Sequence, residues 1–175
     1  MRTTPAGTQQ HRAEATRLGA LACAVLTVSD SRTDATDESG PLARRLLEAA
    51  GHTIITYALL PNDEDRVRSH VQQWLRRGDL HAIVITGGTG LGSKDRTIEA
   101  VRPLFEKEIP GFGELFRLLS YQEQIGTTAI LSRATAGSAH GAVIVSLPGS
   151  RAAVELAVTR ILVPELPHLL REIRR

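Results

Sequence analysis

Apolar runs and amphipathic repeats alternate along the chain. Residues 21–28 form a continuous apolar run, which reads as a strand buried on both faces. Residues 52–60, rich in Thr, Ile and Tyr, read as a second strand, and residues 82–85 (Ala, Ile, Val, Ile) as a third. Residues 142–147 give another buried strand, and residues 127–133 read as one more. Residues 135–141, with Gly137, Ser138 and Gly141, read as a turn between those two.

Helical spacing fills the intervals. Ser39-Gly40-Pro41 opens a helix in which Ser39 can cap and Pro41 suits the first turn; Leu42, Leu46 and Leu47 give its apolar side and Gly51 ends it. Val67, Val71, Trp74 and Leu75 recur at i, i+4, i+7 and i+8, closed by Gly78. Ile98, Val101, Leu104 and Phe105 mark a third helix, and Phe112, Leu115, Phe116 and Leu119 a fourth reaching about Glu123. Val154, Ala157, Val158 and Ile161 mark a fifth, and Pro164 and Pro167 are expected to break the helical stretch that follows.

Strands alternating with helices predict an α/β fold with a mostly parallel sheet covered on both faces. Ligands in such sheets sit outside the carboxyl ends of the strands. Those ends carry Ser29-Asp30-Ser31, Pro61-Asn62-Asp63, the segment Gly87 to Asp95, and Pro148-Gly149-Ser150, so four loops converge on one crevice.

The third loop is the densest in chemistry. Four glycines fall within six positions, followed by Ser93-Lys94-Asp95 and a helix starting near Thr97. Strand, glycine loop and helix bring backbone N–H groups and a helix N-terminus to a phosphate. The spacing fits neither a dinucleotide fingerprint, which would need glycine at Ser93, nor a Walker loop, which would need Gly-Lys-Ser/Thr. Asp30, Asp63 and Asp95 each follow a strand end. Carboxylates beside phosphate-binding backbone can hold magnesium against phosphate oxygens, whereas each taken singly reads as a helix cap or loop acid.

Composition narrows the classes. With 175 residues the chain reads as an N-terminal polar arm over residues 1–19, expected to be disordered, and one domain over residues 20–175. The formal charge is +2 with acids and bases interleaved, and aromatics make up 3%, which argues against a nucleic-acid face. No apolar run approaches the ~20 residues of a membrane span, and no signal peptide is read at residues 21–28. The one cysteine, Cys23, falls in an apolar run as a buried small residue, in keeping with a reducing cytoplasm. There is no Gly-x-Ser-x-Gly for a hydrolase triad and no paired histidine spacing for zinc.

The motifs Thr27-Val28-Ser29-Asp30-Ser31, Asp37-Glu38-Ser39-Gly40-Pro41, Thr86-Gly87-Gly88-Thr89-Gly90, Lys94-Asp95, Pro110-Gly111-Phe112-Gly113-Glu114, Ser132-Arg133 and Leu147-Pro148-Gly149-Ser150 resemble the MoaB/MogA family of molybdenum cofactor biosynthesis, which includes the G domain of gephyrin. The resemblance runs from about Leu21 to Leu170, and the segment Leu115 to Tyr121 leans toward the MoaB branch. It implies a three-layer α/β/α sandwich assembled as a homotrimer or homohexamer. It implies molybdopterin as ligand, with magnesium and ATP used to adenylylate the terminal phosphate and release pyrophosphate. Ser29, Asp30, Ser31, Gly87, Gly88, Thr89 and Gly90 would hold the pterin and its phosphate, together with Lys94, Ser120 and Ser132. Pro148, Gly149 and Ser150 would line the nucleotide end, and Asp95 matches the acid that active members require.

Two positions depart from the family pattern. Asn62 stands where active members carry an acid, with Asp63 one step away, and Lys94 stands where arginine is common and cannot form a bidentate fork to phosphate. Asp63 is expected to take over the missing charge, so that Asp95 and Asp63 serve catalysis and Asp95, Asp63 and Asn62 hold the metal. The alternative is a protein that binds molybdopterin or a precursor without adenylylating it.

Overall fold

The computed structural model describes residues 19–175, so the arm expected over residues 1–19 lies outside it except for Gly19. Six strands form one sheet in the order β2-β1-β3-β6-β5-β4. These are β1 Ala22–Val28, β2 Thr53–Leu60, β3 Ala82–Thr86, β4 Lys107–Glu108, β5 Thr135–Ala139 and β6 Ala142–Leu147. β2, β1, β3 and β6 run parallel, while at the far edge β5 pairs antiparallel with β6 and β4 antiparallel with β5. The mostly parallel α/β sheet expected from the alternation is present.

The helices are α1 Ser39–Ala49, α2 Glu64–Arg76, α3 Thr97–Val101, α4 Pro110–Ser120, α5 Arg151–Leu156 and α6 Val163–Ile173. Successive residues of a strand point to opposite faces. Cys23 and Val25 of β1, Val84 of β3 and Val145 of β6 therefore pack on one face, with α1, α4, α5 and α6. Ala24, Leu26, Ile83, Ile85 and Ile144 pack on the other, with Val67, Val71, Trp74 and Leu75 of α2. That two-sided covering makes the three layers. Cys23 is fully buried, and burial pushes its thiol up to about 12. No described helix is long and apolar enough to cross a membrane.

Four local expectations are corrected. Residues 126–131 form a 3₁₀ helix rather than a strand, preceded by a π-type turn over Tyr121–Ile125. Only Ala129 of that 3₁₀ segment is buried, so its β-branched residues have no sheet to join. Residues 135–139, read as a turn, are instead β5 and wholly buried. Its small residues answer a packing demand: a Cβ on Gly137 would run into the Phe105 ring. The turn shrinks to His140 and Gly141, both at positive φ (50° and 74°), as a two-residue hairpin requires.

The prolines do not break the C-terminal helix. Pro164 occupies the first turn of α6, where a missing N–H costs little, and a π-type segment at Ala157–Leu162 precedes it. Pro167 lies inside α6 and the helix continues to Ile173. Finally, Ser39 is the first residue of α1 rather than its cap. The capping oxygens belong to Asp37, whose Oδ1 accepts the Ser39 N–H at 3.0 Å.

Candidate functional site

β1 is flanked by β2 on one side and β3 on the other, so chain connections leave its carboxyl end in opposite directions. A crevice opens at such a switch point. Here it is a cleft of about 550 Å³, and Ser29, Asn62, Gly87, Gly88, Thr89, Gly90, Asp95, Ser132, Pro148, Gly149 and Ser150 all line it. Most residues expected from the sequence are thus brought together. Asp30, Ser31, Lys94, Asp63 and Ser120 are not among the lining residues.

The glycine loop is built by close approach. Gly87 and Gly88 have φ of +96° and +62°. A Cβ on Gly88 would collide with Thr97 Oγ1 and stand 2.5 Å from Asn62 Oδ1. Gly87 N–H donates to Leu147 O at 3.0 Å, which ties the loop to β6. The N–H groups of Gly88, Thr89 and Gly90 have no acceptor among the described residues. Successive free amides following the positive-φ turn at Gly87 and Gly88 form a concavity suited to an anion. The helix that follows adds little, because α3 has five residues and the Thr97 N–H turns back onto Gly88 O at 3.0 Å. The expected helix N-terminus is therefore closed, and the donors lie in the loop itself.

The acids divide. Asp95 lines the cleft, and its Oδ2 accepts the Gly92 N–H at 3.0 Å. Asp63 is exposed and caps α2, accepting the Arg66 N–H at 2.9 Å. Asp63, expected at a metal, does not line the cleft: the turn after β2 points Asn62 inward and Asp63 along the helix. Asn62 Oδ1 is buried and unpartnered. Asp30 sits on the outer rim, 4.0 Å from Lys94 Nζ, and accepts the Asn62 backbone N–H. That backbone bond first, and Lys94 last, hold the Asp30 carboxyl below the usual range.

Several of the expected serines also make contacts within the scaffold. Ser31 N–H bonds Ser29 Oγ at 3.3 Å, Ser150 Oγ caps α5 through the Ala153 N–H at 3.2 Å, and Ser120 Oγ, buried in α4, donates to Phe116 O at 2.8 Å.

Several positions at the cleft were given no role in the reading of the sequence. Arg32 and Arg133 are the cationic side chains lining the cleft among the described residues. Arg32 has a side chain 33% exposed and lies 3.8 Å from Asp37 Oδ1. Beneath the cleft, Asp37 is fully enclosed and gathers donors from Thr27 Oγ1, Tyr57 Oη, Ser39 N, Ser39 Oγ and Gly40 N. Burial alone would raise its pKa; the bonds from Thr27, Tyr57, Ser39 and Gly40 reverse that and hold it low. Tyr57 is pushed up to about 12, by burial first and then by its bond to Asp37. An acid two residues before a Ser-Gly-Pro helix start was the available signal for Asp37. Arg133 stood in the sequence only as part of the Ser132-Arg133 motif, with no role attached, because its partners lie far away in the chain.

Residues 24–168 match the family model described as "Probable molybdopterin binding domain". Over 169 residues the chain is 52% identical to molybdenum cofactor biosynthesis protein B of Halalkalibacterium halodurans, covering 94% of this chain and 96% of the relative. A crystal structure of a molybdenum cofactor biosynthesis protein B superposes with a TM-score of 0.86 at 43% identity, covering 89% and 97% of the two chains. The tungsten cofactor synthesizing protein MoaB from Pyrococcus furiosus superposes at 0.81 with 36% identity, covering 89% and 98%.

Proposed function

The chain belongs to the molybdopterin-binding domain family of molybdenum cofactor biosynthesis, and from that membership we propose that its cleft binds molybdopterin and transfers an adenylyl group from ATP to the terminal phosphate. The observation that carries this reading is the row of unpartnered amides at Gly88, Thr89 and Gly90 in the cleft. They are donors awaiting phosphate oxygens.

In the transfer an oxygen of the molybdopterin phosphate attacks the α-phosphorus of ATP. The bond to the β-phosphate breaks and pyrophosphate leaves. No side-chain nucleophile is needed, so the chain's part is positioning and charge neutralisation. The loop amides hold phosphate oxygens, Arg32 brings a cation to the cleft, and Ser132 and Ser150 offer hydroxyls. Pro148 and Gly149 wall the nucleotide end.

The residues fit magnesium that arrives with nucleotide. Magnesium takes oxygen ligands and keeps several waters. Asp95 supplies a carboxylate, and the buried, unpartnered Asn62 Oδ1 supplies a neutral oxygen. Among the described residues no three His, Cys, Asp or Glu side chains cluster as a metal cage, so phosphates and water would complete the shell. When bound, the ion offsets negative charge at the reacting phosphates.

A second reading has its own observation. With Asp63 engaged in capping α2, the cleft offers Asp95 as its carboxylate where the family pattern carries two, which favours a protein that binds molybdopterin without adenylylating it. Incubating purified protein with molybdopterin, magnesium and ATP separates the two. Adenylylated pterin with pyrophosphate supports the enzyme. Bound pterin without product supports the binding protein, and the absence of both binding and product would leave the cleft without a role in this pathway.

We also propose a cytoplasmic homo-oligomer of three or six copies. Leu115, Leu118, Tyr121, Ile125, Ile130 and Leu131 are exposed along one stretch, more apolar surface than scattered single residues would give.

A further inference from the structure

Arg133 reaches across the cleft wall from the segment before β5 and grips the glycine loop at both ends. Its Nε donates to Thr89 O at 3.0 Å, and one terminal nitrogen donates to Asp95 O at 2.9 Å. The same guanidinium forks onto Glu99 of α3, at 2.7 Å and 3.2 Å to the two carboxylate oxygens. Four donor contacts are thereby spent on three points of the protein, and the charge is matched by Glu99. An arginine so committed is a brace rather than a free phosphate clamp.

The direction of the bonds matters. In a trans peptide the C=O and N–H point to opposite sides, and the described residues contain no cis bond. Drawing the Thr89 carbonyl onto Arg133 therefore turns the Gly90 N–H away from it. That amide lines the cleft and has no acceptor among the described residues. Drawing the Asp95 carbonyl onto the same guanidinium fixes the backbone that carries the Asp95 carboxylate.

We infer that Arg133 is a positioning residue that orients the Gly90 amide and the Asp95 backbone toward an incoming phosphate, with Glu99 holding the guanidinium in place. The inference rests on the reading of the cleft as a phosphate site. Glycine makes the loop permissive, and Arg133 selects one of its conformations. Lysine keeps the charge but cannot span Thr89 O, Asp95 O and Glu99 together.

The test uses the full chain with pyrophosphate as probe, followed by calorimetry, and the backbone order parameter of Gly90, followed by NMR relaxation. Arg133→Lys should weaken pyrophosphate binding by about tenfold or more, the scale of losing a charge-assisted hydrogen bond, and should drop the Gly90 order parameter from the ~0.85 of rigid backbone toward ~0.6. Val84 and Ile85 in β3 should keep their native order parameters, which a general loosening of the fold would not allow. Glu99→Gln should shift both readouts the same way by a smaller amount, and it carries the test if Arg133→Lys fails to fold. Native binding or native order at Gly90 in Arg133→Lys overturns the inference. If the native chain itself does not bind pyrophosphate, the phosphate reading of the cleft falls, and the order of Gly90 alone then decides whether Arg133 orders the loop.

Discussion

Asp30 fixes Asn62: its Oδ1 accepts the Asn62 backbone N–H at 2.8 Å. The loop after β1 thereby sets the loop after β2. The next peptide is tightened by Asp63 N–H donating to Pro61 O at 2.8 Å, and the Asp63 carboxylate then caps α2. One turn thus sorts two neighbouring polar side chains. Asn62 goes to the cleft floor against Gly88, and Asp63 goes to solvent.

Asn62→Asp is expected to restore the charge that the turn withholds. The new carboxylate would be buried with no donor to satisfy it, so the free variant should melt below the native chain. Magnesium with ATP should reverse that order, and magnesium-dependent ATP affinity should rise on the order of tenfold, since added ligand charge strengthens a hard-cation site. Calorimetry and thermal melts with and without magnesium check it. Unchanged affinity would mean that Asn62 is not at the metal.

Asp63→Ala should leave magnesium-ATP affinity at the native value. Its effect falls on α2, where losing the bond to the Arg66 N–H costs about 1 kcal/mol, the usual worth of an N-cap. Chemical denaturation reads the loss, and titration with magnesium-ATP reads the indifference. A large drop in nucleotide affinity would return Asp63 to the metal.

The sheet was legible where burial on both faces leaves continuous apolar runs, as in β1, β3 and β6. β5 was not, because Gly137 answers to the Phe105 ring, and a residue kept small for packing looks like one kept small for a turn. The stretch at 126–131 has the β-branched character of a strand but no neighbour to pair with, which no local pattern records. In the site, the glycine loop announced itself. The choice between Asn62 and Asp63 turned on one peptide orientation set by Asp30, and the roles of Arg133 and Asp37 came from contacts distant in the chain.

Gly88→Val should abolish molybdopterin binding. At φ +62° a β-branched side chain is strained, and its Cβ would displace Asn62 and Thr97 together. A stability cost of about 1–3 kcal/mol is expected from the strain, with the sheet intact. Circular dichroism reads the fold and calorimetry the binding. Native affinity in this variant would remove the loop from the site.

Stability should fall as pH drops below about 6.5. Burial holds His52, His70 and His81 below the usual 6.5 of a free imidazole, with Arg174 adding to the effect at His81. The unfolded chain then binds protons that the folded chain refuses, so stability is full above 6.5, declines below it, and levels once pH passes the folded values. Two of these rings are also acceptors at the entry of β1: His81 Nδ1 takes the Ala22 N–H at 2.9 Å and His52 Nδ1 the Leu21 N–H at 3.5 Å. Protonation there removes the acceptor. Melting temperature against pH should slope downward from pH 7 to 5, and His81→Gln should flatten part of that slope. An equal slope in the variant would place the loss elsewhere.

Asp37→Asn tests the floor of the cleft. Oδ1 accepts from Ser39 N and Ser39 Oγ, and Oδ2 from Thr27 Oγ1 and Tyr57 Oη, both at 2.7 Å, with Gly40 N shared between them. An amide must place its NH₂ toward one of these sets. The Ser39 backbone donor cannot turn, whereas the hydroxyls of Thr27 and Tyr57 can, so the amide oxygen should take the Oδ1 position. The NH₂ then faces Thr27, Tyr57 and the Gly40 N–H, leaving a donor against a donor in a buried place. A loss of about 2–4 kcal/mol is expected, from one unsatisfied group and weaker bonds around it. The variant should also lose part of the acid sensitivity of the native chain. Asp37 is held below 3.8, so its contribution is complete above that value and disappears as pH falls through the lower, folded value. Denaturation at pH 7 and at pH 3 should therefore show the gap between native and variant narrowing in acid. A gap that stays constant would mean that the ionised carboxylate is not what holds Thr27 and Ser39 in place.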